Sequence, residues 1–239
     1  MEDLKALVLA GGRGTRLKVI KDVPKPMAPV GGKPFLEYHI ELLKKFNIRK
    51  IILSVGFKAD VISEYFKDGS RLSVQIEYSK ENLPLGTGGA IKKALPFLGN
   101  QFLVLNGDSI ILSDLTAFVN FHKNKNSGQS ILLTKVYNSS RYGNVVIDKN
   151  NQIVKFSEKD VKSNNGFINA GVYLIEKNSI DWKNMRGSFS LEKDLFPSLV
   201  EKGKLYGFPV DGFFIDIGMP EDYDKVQKTF WKINQYLSR

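Results

Sequence analysis

Residues 5–17 read Lys5-Ala6-Leu7-Val8-Leu9-Ala10-Gly11-Gly12-Arg13-Gly14-Thr15-Arg16-Leu17. A short apolar run passes directly into glycines, the pattern of a buried strand that ends at the edge of an open α/β sheet. Ligands of such sheets bind outside the carboxyl ends of the strands. Glycines there let backbone N–H groups come close to phosphate oxygens, and Arg16, with Arg13 as the weaker candidate, adds positive charge. Two better-known loops are excluded. A dinucleotide fingerprint needs a third glycine where Leu17 stands, and a P-loop needs Gly-Lys followed by Ser or Thr, whereas Gly32-Lys33 is followed by Pro34. On the residues alone, a phosphate cradle and a tight turn with incidental glycines both remain open.

Outward from this loop the first half alternates strands and helices. Pro34 opens a helix over 34–46, with Leu36, Ile40 and Leu43 at helical spacing. Strands are expected over 50–55, 74–78 and 102–105, and helices over 59–66 and 87–98. The strand over 102–105 runs into Asn106-Gly107-Asp108. This order predicts an α/β fold, a Rossmann-like mixed, mostly parallel sheet flanked by helices. The second half is richer in strands, over 130–136, 144–147, 153–156, 168–175 and 213–217. A helix over 190–201 starts at Ser190, a candidate cap. A closing helix over 220–237 carries Tyr223, Val226, Phe230, Ile233 and Leu237 on one face. No linker or repeat divides the chain, so a single domain is expected over 1–239, with halves of about 1–120 and 121–239.

Composition narrows the chemistry. The chain has 239 residues, a net charge of +10 and 42% hydrophobic residues, as a soluble globular protein does. It has no cysteine and 2 histidines, which removes disulfides, thiolate chemistry and His-rich metal sites. A basic chain attracts polyanions. The basic residues form no long run and the aromatics are scattered, so small anionic substrates are favoured over nucleic acid. No stretch approaches the ~20 apolar residues of a membrane span, and the N-terminus does not read as a signal peptide; a cytoplasmic protein is expected. His39 is expected to be packed and hydrogen-bonded, and His122, at a helix end, to face solvent or a cap.

Further candidates lie at the other strand ends. Lys25-Pro26-Met27 sits among Pro24, Pro26 and Pro29, which stiffen the loop and fix where Lys25 points; an irregular surface loop is the plainer alternative. Asp108 and Asp216, each near the end of a separate strand, could share one hard cation, and turn or cap roles are the alternatives.

Taken together, Ala10-Gly11-Gly12-x-Gly14-Thr15-Arg16-Leu17 and Lys25-Pro26-Met27 resemble the sugar-phosphate nucleotidyltransferases. The resemblance continues in order through Leu85-Gly86-Thr87-Gly88-Gly89-Ala90, Leu105-Asn106-Gly107-Asp108, Arg141-Tyr142-Gly143, Glu158-Lys159, Asn169-Ala170-Gly171-Val172-Tyr173 and Phe214-Ile215-Asp216-Ile217-Gly218. Ser140-Arg141-Tyr142-Gly143, Phe189-Ser190-Leu191-Glu192-Lys193-Asp194 and the run from Asp216 to Tyr223 resemble most the branch acting on D-glycero-α-D-manno-heptose 1-phosphate with GTP. The resemblance implies transfer of a nucleotidyl group from a nucleoside triphosphate to a sugar 1-phosphate, with Mg²⁺ as cofactor. It implies Arg16, Lys25 and Asp108 as catalytic residues and Asp108 and Asp216 as metal ligands. It implies nucleotide contacts from Leu9, Ala10, Gly11, Gly12, Gly14, Thr15, Gly86, Thr87, Gly88 and Asn106, and sugar-phosphate contacts from Gly143, Glu158, Lys159 and Asn169. Relatives using UTP, dTTP or CTP, or mannose, glucose or amino-sugar phosphates, share most of these motifs. A silent nucleotide-sugar sensor is the rival from another class. A homodimer is left open.

Overall fold

The computed structural model describes residues 1–12, 23–126, 128–136, 144–157 and 166–239. In chain order it contains β1 (Lys5–Leu9), a short ribbon of β2 (Pro29–Val30) and β3 (Lys33–Pro34), α1 (Phe35–Lys45), β4 (Lys50–Val55), α2 (Ala59–Phe66) and β5 (Gln75–Lys80). There follow α3 (Gly86–Ala94), β6 (Gln101–Asn106), β7 (Ser109–Ile111), α4 (Leu115–Lys125), β8 (Gln129–Lys135), β9 (Asn144–Ile147) and β10 (Ile153–Ser157). The last elements are β11 (Phe167–Glu176), α5 (Phe196–Glu201), β12 (Tyr206–Val210), β13 (Phe214–Asp216) and α6 (Pro220–Ser238).

The main sheet runs β10-β9-β11-β6-β1-β4-β5, with β8 on β11 and β12 on β8. Its β6-β1-β4-β5 part is parallel, and the long β11 joins β6 antiparallel. Side chains of a strand alternate between faces, and the core follows that alternation. Ala6, Val8, Ile51, Leu53, Leu103 and Leu105 face α1, α2, α4 and α6. Leu7, Ile52, Phe102 and Val104 face α3 and α5. The fold is the mixed α/β sheet expected. The inner parallel strands β1, β4 and β6 are covered on both faces and read as near-continuous apolar runs, whereas the edge strand β5 alternates exposed and buried residues.

Several boundaries differ from expectation for physical reasons. Pro34 is the cap of α1 and pairs with Pro29 in the ribbon instead of opening the helix. The segment 190–201 is not one regular helix. Ser190 does cap it, accepting from the Lys193 N–H, but Leu191–Leu195 forms a wider π-helical turn before α5. Pro197 has no N–H for the preceding turn, so a regular helix cannot pass through it. His122 is buried rather than solvent-facing: its Nδ1 lies 2.8 Å from Ser130 Oγ and its Nε2 3.4 Å from Glu176. His39 is fully buried and hydrogen-bonded, as expected, with Nε2 2.7 Å from the Ser109 carbonyl. Asp114 caps α4 by accepting from the N–H groups of Thr116 and Ala117. Such a cap contributes about 1 kcal/mol. Among the described residues no helix is long and apolar enough to cross a membrane.

Candidate active site

The parallel strands end together, and their last residues form one cleft. It has a volume of about 310 Å³ and draws its walls from the β1 end (Leu9, Gly11, Gly12), the Lys25 loop, Glu81, the start of α3 (Gly86, Thr87) and the β6 end (Asn106, Asp108). Backbone hydrogen bonds hold the strand ends in register: Ala10 N–H donates to the Ser54 carbonyl and Gly107 N–H to the Leu9 carbonyl. At Gly11 a side chain would come close to the Glu81 carboxylate and the Gly56 N–H, which would have to give way slightly. Gly12 meets nothing within 4 Å and leaves its backbone open.

The charged end of the cleft is built across the β7–β13 ribbon. Asp216 pairs in register with Ser109, and Ile217 N–H donates to the Asp108 carbonyl at 2.9 Å. That pairing carries both carboxylates to one side of Lys25. Lys25 Nζ lies 2.7 Å from Asp108 Oδ2 and 3.7 Å from Asp216 Oδ1. The Lys25 side chain is 12% exposed, so its ammonium is held in this geometry with little solvent around it. Burial, reinforced by the Asp108 carboxylate, pushes Asp216 up to about 6, while Lys25 and the Gly218 N–H pull it back. Two nearby carboxylates are suited to a hard cation. No group of three or more His, Asp or Glu at metal-binding spacing occurs among the described residues. Asp108 and Asp216 together therefore offer two oxygen ligands, the donor set magnesium takes when substrate phosphates and waters supply the rest.

The other end of the cleft is shaped by a polar chain not foreseen from the sequence. Thr87 Oγ1 donates to Glu192 Oε2 at 2.8 Å, and Ser190 Oγ donates to the same oxygen at 2.7 Å. Tyr173 OH donates to Glu192 Oε1 at 3.2 Å and accepts from Asn169 Nδ2 at 2.8 Å. Burial and the Glu192 carboxylate push Tyr173 well above the usual tyrosine range, so it stays a phenol and a donor. Asn169 stands in an irregular stretch of β11, where Gly171 at φ +74 passes tightly against Asn106 and Ser109. Asn106 itself keeps a buried Oδ1 with no partner among the described residues.

Of the residues singled out from the sequence, Leu9, Gly11, Gly12, Lys25, Gly86, Thr87, Asn106 and Asp108 line this cleft. Asp216 adjoins it through Lys25. Ala10 and Gly88 are buried, and Gly88 is committed to packing: its N–H donates to the Phe189 carbonyl at 3.0 Å, and a side chain there would overlap the Phe189 ring. Gly14, Thr15, Arg16, Gly143, Glu158 and Lys159 lie outside the described residues. Glu81 was not anticipated. Its carboxylate accepts from Ser54 Oγ at 2.8 Å and from the Leu85 N–H at 3.2 Å.

A cleft at parallel strand ends, lined by open glycine backbone, one buried lysine and two carboxylates, has the chemistry of a nucleotide phosphate site. Residues 5–232 match the Nucleotidyl transferase family. The chain belongs to that family. As a nucleotidyltransferase it is 44% identical to D-glycero-alpha-D-manno-heptose 1-phosphate guanylyltransferase of Campylobacter jejuni, over 92% of this chain and 97% of that one. It is 40% identical to the protein of the same name from Aneurinibacillus thermoaerophilus, over 94% of this chain and 97% of that one. Among solved structures it resembles HddC from Yersinia pseudotuberculosis complexed with GMP-PN, with a TM-score of 0.84 and 36% identity over 95% of this chain and 99% of that one. A nucleotidyltransferase needs no protein nucleophile, because a phosphate monoester attacks for itself. The side chains here are arranged for positioning and charge stabilisation.

Proposed function

We propose that this nucleotidyltransferase joins GTP and D-glycero-α-D-manno-heptose 1-phosphate to give GDP-heptose and pyrophosphate, acting in the cytoplasm. The reading is carried by Lys25 and Asp108, which line one cleft, and by Asp216, which adjoins it beside Lys25. The similarity to two guanylyltransferases of that substrate along nearly their whole length supports the choice of base and sugar. The heptose phosphate, with a second pKa of about 6, is a dianion near neutral pH. One of its oxygens forms a bond to the α-phosphorus of GTP as the bond from that phosphorus to the bridging β-phosphate oxygen breaks. Pyrophosphate leaves with that electron pair. Lys25 and Arg16 are suited to hold the triphosphate and the charge that builds up at the reacting phosphorus. Asp108 and Asp216 would hold Mg²⁺, which supplies charge neutralisation and orientation of the phosphates when bound. Gly143, Glu158, Lys159 and Asn169 are the residues proposed for the sugar phosphate.

We propose Glu81, which lines the cleft, as the residue that reads the base. Guanine presents two adjacent donors, N1–H and the 2-amino group, which match the two oxygens of a carboxylate. A uracil or thymine edge offers one donor flanked by carbonyls and meets the same carboxylate with repulsion. Glu81→Gln is expected to lower kcat/KM for GTP by about 10- to 100-fold and, by removing the repulsion, to raise UTP use.

The test is pyrophosphate release with magnesium over GTP, UTP, dTTP, CTP and ATP, each against heptose, mannose, glucose and N-acetylated amino-sugar 1-phosphates. Turnover confined to GTP with the heptose phosphate is the expected result. Turnover in another combination would keep the reaction class and reassign the substrates. Silence throughout, from folded protein that still binds a nucleotide sugar, would favour the sensor role.

A further inference from the structure

Lys25 belongs to a loop that contributes no strand to the main sheet, yet its ammonium is held between two carboxylates. What fixes that loop lies at the far end of the chain. On α6, Tyr223 OH donates to the Pro29 carbonyl at 2.6 Å and Gln227 Nε2 donates to the same oxygen at 2.5 Å. Two donors from consecutive turns of one helix thus use both lone pairs of a single backbone carbonyl. Next to it, Gly31 at φ +55 packs under Phe230 so closely that a side chain there would overlap the ring, and Tyr38 OH donates to the Val30 carbonyl at 3.0 Å.

Between Pro29 and Lys25 the backbone has little freedom. Pro24, Pro26 and Pro29 each lock φ. The turn at Lys25–Met27 is closed by Met27 N–H to Pro24 O and Ala28 N–H to Lys25 O, and Pro26 and Met27 are buried. A displacement at Pro29 is therefore passed to Lys25 rather than absorbed. The same helix begins at Pro220, four residues past Asp216, whose Oδ1 accepts from the Gly218 N–H at 2.6 Å.

We infer that Tyr223 and Gln227 are positioning residues: through the Pro29 carbonyl, α6 sets the distance between the Lys25 ammonium and the Asp108–Asp216 pair. That this distance matters for turnover rests on the function proposed above. That α6 sets it does not, and the two can be tested apart.

The experiment compares Tyr223→Phe, Tyr223→Phe/Gln227→Ala and a control, Ile233→Val, which trims the fully buried side of α6 without touching Pro29. In protein without substrate or metal, the rate at which Lys25 is acylated by an amine-directed reagent is read by peptide mass spectrometry, alongside thermal melting. Lys25 is expected to react several times faster in the double variant, with Tyr223→Phe intermediate because Gln227 still holds one bond, and at the parent rate in Ile233→Val. In turnover, the double variant is expected to lose about tenfold or more in kcat with a much smaller change in KM for the triphosphate. Conservative variants keep the protein folded, so melting and reactivity separate positioning from stability. Lys25 reactivity in the double variant no higher than in Ile233→Val would overturn the inference, whatever the turnover. Faster labelling with unchanged kcat would leave α6 as the brace and count against Lys25 acting in the reaction.

Discussion

Lys25 lies between two carboxylates of unequal character. The Asp108 side chain is 42% exposed and takes the shorter contact with the ammonium, whereas Asp216 is more enclosed and is pushed up to about 6 by burial and by Asp108. At the proposed metal site, replacing either would remove one of two oxygen ligands. Asp108→Ala and Asp216→Ala are each expected to reduce magnesium-dependent turnover by at least about 10²-fold, with the melting profile still cooperative. Rates close to the parent's in either variant would remove that residue from the metal site. These residues were legible as candidates because each stands at the end of a recognisable strand or beside fixed prolines, but turn, cap and loop roles stayed open for them until the resemblance gave them a chemistry. Glu81 and Glu192 were not. Their roles come from side-chain hydrogen bonds to Ser54 and Thr87, partners 27 and 105 residues away in the chain. No periodicity or spacing encodes such a pairing.

Elements show a similar division. The long apolar strands and amphipathic helices could be read from their patterns, but β7 and β12 could not. β7 has three residues and exists only because β13 returns to pair with it. β12 contains Pro209 and, beyond a single bridge from Tyr206 to Gln152, has β8 as its strand partner, so Pro209 lies where a missing N–H is tolerated. The glycines opening α3 carry a different lesson. A glycine-rich loop suggests backbone exposed to a ligand, and Gly86 and Thr87 do line the cleft, but Gly88 and Gly89 both donate to the Phe189 carbonyl. Gly88→Ala would drive a methyl group into the Phe189 ring. It is expected to destabilise the fold by about 1–3 kcal/mol, read by denaturant unfolding, and to weaken nucleotide binding through displacement of Thr87. Unchanged stability would mean that the α3 start and the Phe189 loop separate freely.

At the scale of the whole molecule, one sheet divides two apolar layers, and buried polar groups are few. One of them, His122, ties α4 to β8 and β11 through Ser130 and Glu176. Burial lowers its pKa from the ordinary 6.5, and the Glu176 carboxylate offsets this in part. The sign follows from linkage. As pH falls below 6.5 the unfolded chain takes up this proton first, so stability declines until the lower value of the folded protein is passed. Melting temperature is expected to drop between pH 7 and pH 5, and His122→Gln to melt lower at pH 7 with a shallower decline. An equal slope in the variant would assign the acid sensitivity to other groups.

The contacts that hold Lys25 in place also impose an order of events during synthesis. The bonds from Tyr223 and Gln227 to Pro29 join residues 194 and 198 positions apart. Contacts of such separation form late, since the chain between them must be closed first. Until α6 has been made the nascent chain can build β1, α1 and β4, but the brace on Pro29 is missing. Lys25 is thus synthesised long before the helix that holds it and is among the last residues to reach its final position.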